Sequence, residues 1–247
     1  MKPELRPFPE SDIILVVPCY NEALRLNSQA FDSWAEGRNF ILFVDDGSSD
    51  NTVEVIKQLE IKNANIALLQ IPFNVGKGEA VRRGFENLML TRPKNNFWLG
   101  FWDADLSAPL SEVEPMLLYL EIFHPFAKSV WGSRVRRLGA DIQRNGRRHL
   151  LGRIFATLVG FLFNCRTYDT QTGAKIFHSS VAKKLFSTPF ISRWIFDVEI
   201  LLRMAPRELV EYPLSSWKEV PGSKINLLKD SFRVGSDIFS IWRNNRG

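Results

Sequence analysis

Four short apolar runs, separated by stretches with helical spacing, constrain the fold of this chain more than any other feature. The runs are rich in β-branched and aromatic residues, and they occupy residues 13–17, 40–44, 66–71 and 97–102. Between them, segments such as 52–59 and 79–90 have the apolar spacing of helices. Apolar strands that alternate with helical crossovers predict an α/β fold with a mostly parallel sheet and helices on both of its faces.

Length and composition agree with this fold class. The chain has 247 residues, of which 45% are hydrophobic and 24% charged, as in folded globular proteins and unlike disordered or collagen-like ones. Two full independent domains would be a tight fit at this length. We therefore predict one core domain at 1–220, with halves at about 12–106 and 107–220, followed by a basic amphipathic tail at 221–247.

Polar residues follow all four predicted strands, at 18–22 (PCYNE), 45–48 (DDGS), 74–78 (NVGKG) and 103–105 (DAD). The carboxyl ends of parallel strands meet at one edge of a sheet, where ligands bind. A turn or a helix cap explains any one of these loops, but four at one edge favour a binding site. The glycines of the third loop lack the spacing of dinucleotide-binding and Walker A loops, so neither of those sites is expected.

Two carboxylates after the fourth predicted strand indicate a metal. Asp103 and Asp105 are two residues apart, which on an extended segment points both side chains the same way. The sequence places no histidine or cysteine beside them, and Cys19 and Cys165 are too few for a zinc site or a disulfide framework. Ligands that are all oxygen suit Mg²⁺ or Mn²⁺ held jointly with the phosphates of a substrate.

Positive charge is concentrated in one stretch. The whole chain has a net charge of +5, whereas residues 134–153 hold seven arginines and one acid, a net charge of +6. This stretch indicates an anionic partner, with a solvated basic loop or simple attraction to anionic lipid as the alternatives. Nucleic acid is not the expected partner, because the aromatic residues are not interleaved with the arginines and no nucleic-acid-binding motif is present.

Two apolar segments suit a membrane surface better than a membrane span. Residues 1–12 lack the apolar run of an export signal, and 154–163 has about half the length that crosses the hydrocarbon core. Apolar residues of the tail recur at helical spacing beside basic ones, at Leu228, Phe232, Ile238, Phe239 and Trp242. Such a helix packs in a core or binds a membrane surface. We expect a peripheral, monotopic protein on the cytoplasmic face of a membrane.

The sequence resembles the family 2 glycosyltransferases, which have the GT-A fold. The motifs that mark this family broadly are VVPCYNEALRL, FVDDGSSDNT, NVGKGEAVRRGF and FWDADLSAP. Four further motifs, WGSRV, DTQTGAKIF, RWIFDVEILLR and VPGSKI, are similar to those of the dolichyl-phosphate β-glucosyltransferases and, more loosely, the dolichyl-phosphate mannosyltransferases. The resemblance covers nearly the whole chain and implies that 1–220 is a glycosyltransferase domain, with a nucleotide-sugar half first and an acceptor half second.

The resemblance implies a role for each candidate site residue. The donor-binding set comprises Pro18, Tyr20, Glu22, Asp45, Asp46, Gly76, Lys77 and Asp103. Asp103 and Asp105 correspond to the DxD metal motif and are catalytic. Arg134 and Arg148 correspond to catalytic arginines that meet the lipid phosphate, with Arg147 in place of Arg148 if the alignment shifts by one residue. Asp197 and Glu199 line the sugar pocket, or else stabilise the dipole of the helix that they precede.

The implied activity is a metal-dependent, inverting transfer of a hexose to a polyprenyl or dolichyl phosphate, with UDP-glucose as the expected donor. A phosphate monoester is already anionic at pH 7, since its second pKa is near 6, so the acceptor needs arginines rather than a general base. Another donor sugar, a hydroxyl acceptor and a sugar-nucleotide-binding sensor or scaffold stay open as alternatives. Ser107 and Phe190 stand where the mannosyl branch and the processive synthases have glutamine, so neither a third side-chain metal ligand nor processive synthesis is expected.

Overall fold

The structure is a computed structural model that describes residues 13–91, 96–165, 167–221 and 227–245, without the side chains of 147, 148 and 227–233. The chain divides into two compact units. The first unit contains the residues up to Leu106 together with Ile176–Thr188, and the second contains Ser107–Lys175 together with the residues from Pro189 onward. Each unit therefore takes its residues from two separate parts of the sequence.

Strands and α-helices alternate over residues 13–133, as the apolar pattern predicts, and less regularly after them. The strands are β1 (Ile13–Cys19), β2 (Asn39–Asp46), β3 (Ile66–Ile71), β4 (Trp98–Trp102), β5 (Ser129–Ser133), β6 (Asp141–Gln143), β7 (Ala174–His178), β8 (Leu209–Pro213) and β9 (Ser216–Lys218). The α-helices are α1 (Ser28–Ala35), α2 (Thr52–Lys62), α3 (Lys77–Thr91), α4 (Val113–Phe123), α5 (Gly146–Phe163), α6 (Ser179–Leu185), α7 (Phe196–Arg203) and α8 (Leu227–Asn244). A 3₁₀ turn at Leu110–Glu112 precedes α4.

The first unit is built on four parallel strands in the order β3-β2-β1-β4. Side chains of β1 and β2 are almost all buried, which explains why these strands are continuously apolar. In the register of the sheet, Cys19 lies opposite Asp45, and Asp46 lies opposite Ile71. The carboxyl ends of β1, β2 and β3 therefore meet at one edge, and the predicted α/β fold with a mostly parallel sheet is confirmed.

Helix α3 packs against β1 and β2 at close range. A Cβ atom at Gly84 would lie 2.5 Å from Cγ1 of Val16 and 2.9 Å from Cγ2 of Val44, which is closer than a real Cβ contact. Glycine at this position therefore lets the helix approach the sheet. Helix α3 begins at Lys77, within the strand-end segment 74–78.

The second unit contains two parallel strand pairs, β5 with β8 and β6 with β9. Helices α5 and α8 and the start of α7 share a buried apolar cluster of Val159, Ile195, Val198, Ile238 and Ile241. Helix α8 lies in the predicted tail, so part of the apolar face of that segment belongs to the core of this unit. The side chains of Leu228 and Phe232 lie outside the described residues.

The apolar segment 154–163 forms the C-terminal half of α5. Ala156 and Val159 are buried, whereas Ile154 and Phe161 are exposed. Within the described parts of the chain, no helix combines the length and the hydrophobicity that crossing a membrane requires.

Candidate active site

The first two strand-end loops of the first unit are tied together by hydrogen bonds. Asn21 is left-handed, with φ of 52°, and its backbone N–H donates to Oγ of Ser48 at 2.9 Å. Its side-chain Oδ1 accepts from the N–H of Ser49 at 2.8 Å. The N–H of Glu22 donates to Oγ1 of Thr52, the first residue of α2, at 2.7 Å. These bonds fix the two loops at the carboxyl ends of their strands.

Three predicted donor-binding residues belong to the first of these loops or to the strand before it. Pro18 is half-buried in β1, and Tyr20 is 37% exposed directly after the strand. Glu22 is buried, and its carboxylate accepts two hydrogen bonds from the guanidinium of Arg25, at 2.8 and 2.7 Å. The charge of Glu22 is thus balanced within the loop, whereas Tyr20 keeps an accessible side chain.

Asp45 carries an unsatisfied oxygen at the end of β2. The residue is 2% exposed, and its Oδ2 accepts from the N–H of Ser48 at 3.2 Å. Its Oδ1 is buried and has no hydrogen-bond partner among the residues that the structure describes. An unsatisfied buried acceptor costs about 1–3 kcal/mol, and more when it is charged. At the strand-end edge of an α/β sheet, such an atom indicates a group that a bound ligand satisfies.

Asp46 holds the third strand-end loop in place. Its Oδ1 accepts from the N–H of Val75 at 2.7 Å, and its Oδ2 accepts from the N–H of Gly76 at 2.8 Å and from Nδ2 of Asn74 at 3.0 Å. Gly47, with φ of 70°, permits the close approach, because a Cβ there would lie 2.7 Å from the backbone of that loop. Asp46 therefore positions the glycine loop and the start of α3.

Lys77 and Asp103 form an ion pair in the first unit, with Nζ of Lys77 2.5 Å from Oδ1 of Asp103 and about one third of each side chain exposed. Asp105 is likewise half-buried. Residues 103–106 form a turn, in which the N–H of Leu106 donates to the carbonyl of Asp103 at 3.1 Å and Leu106 has φ of 51°. The prediction that the two acids lie on an extended segment is therefore wrong, because this turn follows β4 at once.

The carboxylates of Asp103 and Asp105 fit a hard divalent cation. Both are partly exposed, and both offer oxygen ligands. Among the described residues, no group of three or more His, Cys, Asp or Glu side chains could hold a metal ion. Two protein carboxylates would leave the other coordination positions to substrate phosphates and water, which is the ligand set that Mg²⁺ and Mn²⁺ accept.

In the second unit, the predicted acceptor residue Arg134 forms a buried, bidentate ion pair with Asp169. Nε and Nη2 of Arg134 lie 2.5 and 2.7 Å from the two carboxylate oxygens, and the backbone N–H of Arg134 also donates to Oδ2, at 3.2 Å. The guanidinium lies 5.2 Å from the ring centroid of Trp217. Burial by itself would raise the pKa of Asp169, but the charge and hydrogen bonds of Arg134 hold that pKa well below its usual range. Asp169 was not predicted from sequence, although it is the first residue of the DTQTG motif.

The other arginines of the basic stretch differ in their partners. Arg153 donates to the carbonyl of Tyr168 at 2.7 Å and lies 3.9 Å from the centroid of its ring. Arg137 is exposed and donates to the carbonyl of Pro213 at 2.9 Å. Arg147 and Arg148 have their backbone in the first turn of α5, but their side chains lie outside the described residues, so their predicted contact with phosphate stays a prediction.

Asp197 and Glu199 lie in the first turn of α7, and both are buried. Asp197 accepts from Nζ of Lys175 at 2.5 Å, and that fully buried ammonium also lies 4.6 Å from the ring centroid of Trp131. Glu199 accepts from the N–H groups of Ile191 and Ser192, at 3.0 and 2.9 Å, while burial raises its pKa. Both acids therefore organise the interior of the second unit, and the role of Lys175 was not apparent from sequence.

Known proteins resemble this chain over most of its length. A family model described as Glycosyl transferase family 2 matches residues 14–186. The dolichyl-phosphate beta-glucosyltransferase of Drosophila melanogaster is 33% identical over 97% of this chain and 77% of its own length. The enzyme of the same name from Saccharomyces cerevisiae is 32% identical, over 92% of this chain and 73% of its own length.

A solved structure supports the fold independently. The glucosyl-3-phosphoglycerate synthase from Mycobacterium tuberculosis, crystallised with Mn²⁺, uridine diphosphate and phosphoglyceric acid, superposes with a TM-score of 0.69. It is 18% identical in sequence, and the match covers 94% of this chain and 78% of that one. The likeness confirms the predicted GT-A fold. The chain therefore belongs to glycosyl transferase family 2, and it is a glycosyltransferase.

Proposed function

We propose that this glycosyltransferase transfers glucose from UDP-glucose to the phosphate of a polyprenyl or dolichyl lipid, with inversion at the sugar carbon. The observation that carries the proposal is an arginine cluster in the second unit, formed by Arg134, Arg136, Arg144 and Arg153. These cations outnumber the neighbouring acids, Asp169 and Glu219. A net positive group suits a phosphate acceptor better than a hydroxyl one. The names of the relatives, dolichyl-phosphate beta-glucosyltransferases, support the same acceptor and the same sugar.

The first unit would bind the nucleotide sugar. The unsatisfied Oδ1 of Asp45 is a hydrogen-bond acceptor, and uracil offers an imide N–H as its donor. Tyr20, exposed directly after β1, can cover the base, and Lys77 can pair with the diphosphate. The uridine diphosphate that was crystallised with the Mycobacterium tuberculosis synthase supports a uridine nucleotide.

Asp103 and Asp105 would hold Mg²⁺ or Mn²⁺. Such a cation would offset the negative charge that builds on the departing nucleoside diphosphate. Lys77 already places a second positive charge beside Asp103. Asp46 contributes indirectly, since its carboxylate holds the loop that leads into Lys77.

The acceptor chemistry needs no protein base. A phosphate monoester has its second pKa near 6, so a phosphate oxygen is anionic and nucleophilic at pH 7. Direct displacement by this oxygen inverts the sugar carbon and releases the nucleoside diphosphate. The arginine cluster would hold the acceptor and screen its charge.

One face of α5 would rest on the membrane that contains the lipid. Leu150, Ile154, Leu158 and Phe161 recur at helical spacing, and they are 62%, 56%, 43% and 85% exposed. The arginines that precede this helix would attract anionic lipid, by about 1 kcal/mol for each side chain near the surface. The free thiols of Cys19 and Cys165 suit a reducing compartment, which supports the cytoplasmic face as the location of the proposed surface.

Liposome sedimentation tests this face. The protein should sediment with vesicles that contain phosphatidylserine and dissociate as salt rises, because salt screens charge attraction within about a Debye length. Replacing Ile154 and Phe161 together by serine should reduce binding. Ile61→Ser, at an isoleucine of the first unit that is as exposed as Phe161, is the control. Vesicle binding that changes neither with salt nor with the double substitution in α5 would argue against a membrane face on α5.

A transfer assay tests the proposed reaction. The purified chain with Mn²⁺ is offered UDP- and GDP-sugars together with either geranyl phosphate or geraniol, and the lipid product is identified by mass. Glucosylated geranyl phosphate from UDP-glucose is the expected product. Efficient transfer to geraniol would point to a hydroxyl acceptor. Donor binding without any transfer would instead indicate a sugar-nucleotide sensor.

A further inference from the structure

Arg144 is a half-buried cation whose guanidinium has no hydrogen-bonded partner among the described residues. It lies between β6 and α5, and no atom of the described chain accepts a hydrogen bond from its guanidinium. The guanidinium rests against Gly152 of α5, where a Cβ atom would lie only 2.6 Å from Nη2. A side chain at position 152 would have to push the end of Arg144 aside, so glycine lets the guanidinium lie against the helix. Buried arginines are normally paired, so a bound ligand is a candidate partner for this guanidinium.

The charged side chains that act on Arg144 and His149 are net positive as a group, with Arg134, Arg136, Arg144 and Arg153 against Asp169 and Glu219. Of these, Arg134 disfavours the charge of Arg144, whereas the two acids favour it. Arg134 and Asp169 neutralise each other in their bidentate pair. Burial, and next the charge of Arg134, lower the pKa of Arg144 to about 10. Burial thus penalises the charge of Arg144 in the free protein, and a bound anion would offset that penalty.

Unsatisfied polar groups lie in the same region. Nδ1 of His149, in the first turns of α5, is buried without a hydrogen-bond partner in the described chain. Burial, and then Arg144, Arg136 and Arg153, lower the pKa of His149, so its imidazole is neutral at pH 7 and keeps one N–H to donate. The hydroxyl of Thr170, next to Asp169, is also buried without a described partner. These groups, like Arg144, can be satisfied by a ligand with several acceptor oxygens.

We propose that Arg144, with His149 beside it, binds the acceptor's phosphate monoester, and that Arg134 positions this site by holding Asp169. The inference rests on the proposed function and assigns the acceptor contact to a different arginine from the one that the sequence indicates. A planar guanidinium can give two parallel hydrogen bonds to a phosphate. Nε and Nη2 of Arg134 already point their hydrogen bonds at Asp169, whereas no described acceptor takes any hydrogen bond of Arg144.

Calorimetry on the full chain, with UDP and Mn²⁺ present, tests the assignment with geranyl phosphate as one probe and inorganic phosphate as the other. Arg144→Gln should weaken geranyl phosphate binding by about ten- to a hundredfold and leave UDP affinity unchanged. Arg144→Lys keeps the charge but loses the planar guanidinium, so its affinity for geranyl phosphate should lie between those of the wild type and Arg144→Gln. Arg137→Gln removes the same charge from an exposed arginine of the same stretch and should bind geranyl phosphate as the wild type does.

Thermal unfolding without ligand separates binding from a structural role. Arg144→Gln removes a half-buried charge that has no hydrogen-bonded partner in the described part of the chain, so the variant should melt at the same temperature as the wild type or higher. A lower melting temperature for both Arg144 variants would show that Arg144 supports the fold, and would overturn the proposal. Unchanged geranyl phosphate affinity in Arg144→Gln would overturn it equally.

The two probes distinguish this inference from the proposed function. Wild-type binding of geranyl phosphate that depends on Arg144 supports both. Arg144-dependent binding of inorganic phosphate that is as tight as geranyl phosphate supports the site but argues against a lipid acceptor. If the wild type binds neither probe, the phosphate acceptor itself is wrong, and the site proposal falls with it.

Discussion

The acids at the strand ends of the first unit and the arginine cluster of the second unit have opposite charges but share one arrangement. In the first unit, the carboxylate of Asp46 is hydrogen-bonded by the third loop and Asp103 is paired with Lys77, while Asp45 keeps one buried oxygen without a described partner. In the second unit, Arg134 is paired with Asp169, while Arg144 donates no hydrogen bond to the described chain. Each unit thus contains a satisfied charge beside an unsatisfied one.

The difference between a satisfied and an unsatisfied charge separates residues that hold a site together from residues that bind its ligand. A satisfied buried charge stabilises the protein only as long as its partner is present, so removing either partner is destabilising. An unsatisfied buried charge penalises the free protein, so removing it spares the fold and weakens binding. Within each unit, substitution of the satisfied charge should therefore lower stability, whereas substitution of the unsatisfied charge should weaken ligand binding and spare the fold.

The largest effect should come from breaking the buried pair of the second unit. Arg134→Ala removes the guanidinium that pairs with the buried Asp169 carboxylate, and Asp169→Asn removes the charge that pairs with Arg134, so each should lower the free energy of unfolding by about 3–5 kcal/mol. Denaturant unfolding measures the change. Arg137→Ala, at an exposed arginine, is the control and should change stability little. A loss of unfolding free energy below about 1 kcal/mol in both variants would mean that the Arg134–Asp169 pair does not stabilise the second unit.

The next effect concerns the metal carboxylates of the first unit. Asp103→Asn and Asp105→Asn should each lower kcat by roughly a hundred- to a thousandfold, because one anionic ligand of the cation is lost. The melting temperature should change little, since both side chains are partly exposed. Asp141→Asn, at an exposed acid of β6, is the control. Full activity in EDTA would contradict a metal-dependent reaction.

Asp45 and Asp46 provide a test of the comparison within one strand. Asp45→Ala removes the unsatisfied oxygen, so it should lower UDP affinity by roughly tenfold or more, while the melting temperature holds or rises. Asp46→Ala breaks three hydrogen bonds to the third loop, so it should lower the melting temperature as well as UDP affinity. Calorimetry and thermal unfolding measure the two responses. Identical behaviour of both variants would remove the distinction between binding and positioning acids.

The smallest effect is a dependence of stability on pH. The folded pKa of Asp169 lies below the value of 3.8 expected for the unfolded chain, so the stability due to its charge is complete well above pH 3.8 and is lost as pH falls below it. The difference in unfolding free energy between the wild type and Asp169→Asn should stay constant from pH 6 to 8. It should narrow by about 1 kcal/mol at pH 3. A difference that does not vary with pH would show that folding does not lower the pKa of Asp169, and would contradict a stabilising charged pair with Arg134.

Much of the fold could be predicted, because the relevant signals are local. The four apolar runs appear as β1 to β4, with β1 and β2 extended by two or three residues, β3 unchanged and β4 starting one residue later. Burial on both faces of the sheet forces a continuous apolar pattern that is easy to recognise. The turn at 103–106 was missed because the spacing of two acids does not specify the backbone that carries them.

The sequence by itself determined the α/β fold, the family, and which loops carry acid or base, since apolar periodicity and motif spacing act over a few residues. The tertiary structure alone decided which of these charges has a partner. Asp169 meets Arg134 from 35 positions along the chain, and Glu211, further still, accepts from the N–H of Asp169. Such pairings depend on how distant segments pack, and a charge is satisfied or left for a ligand only once that packing has formed.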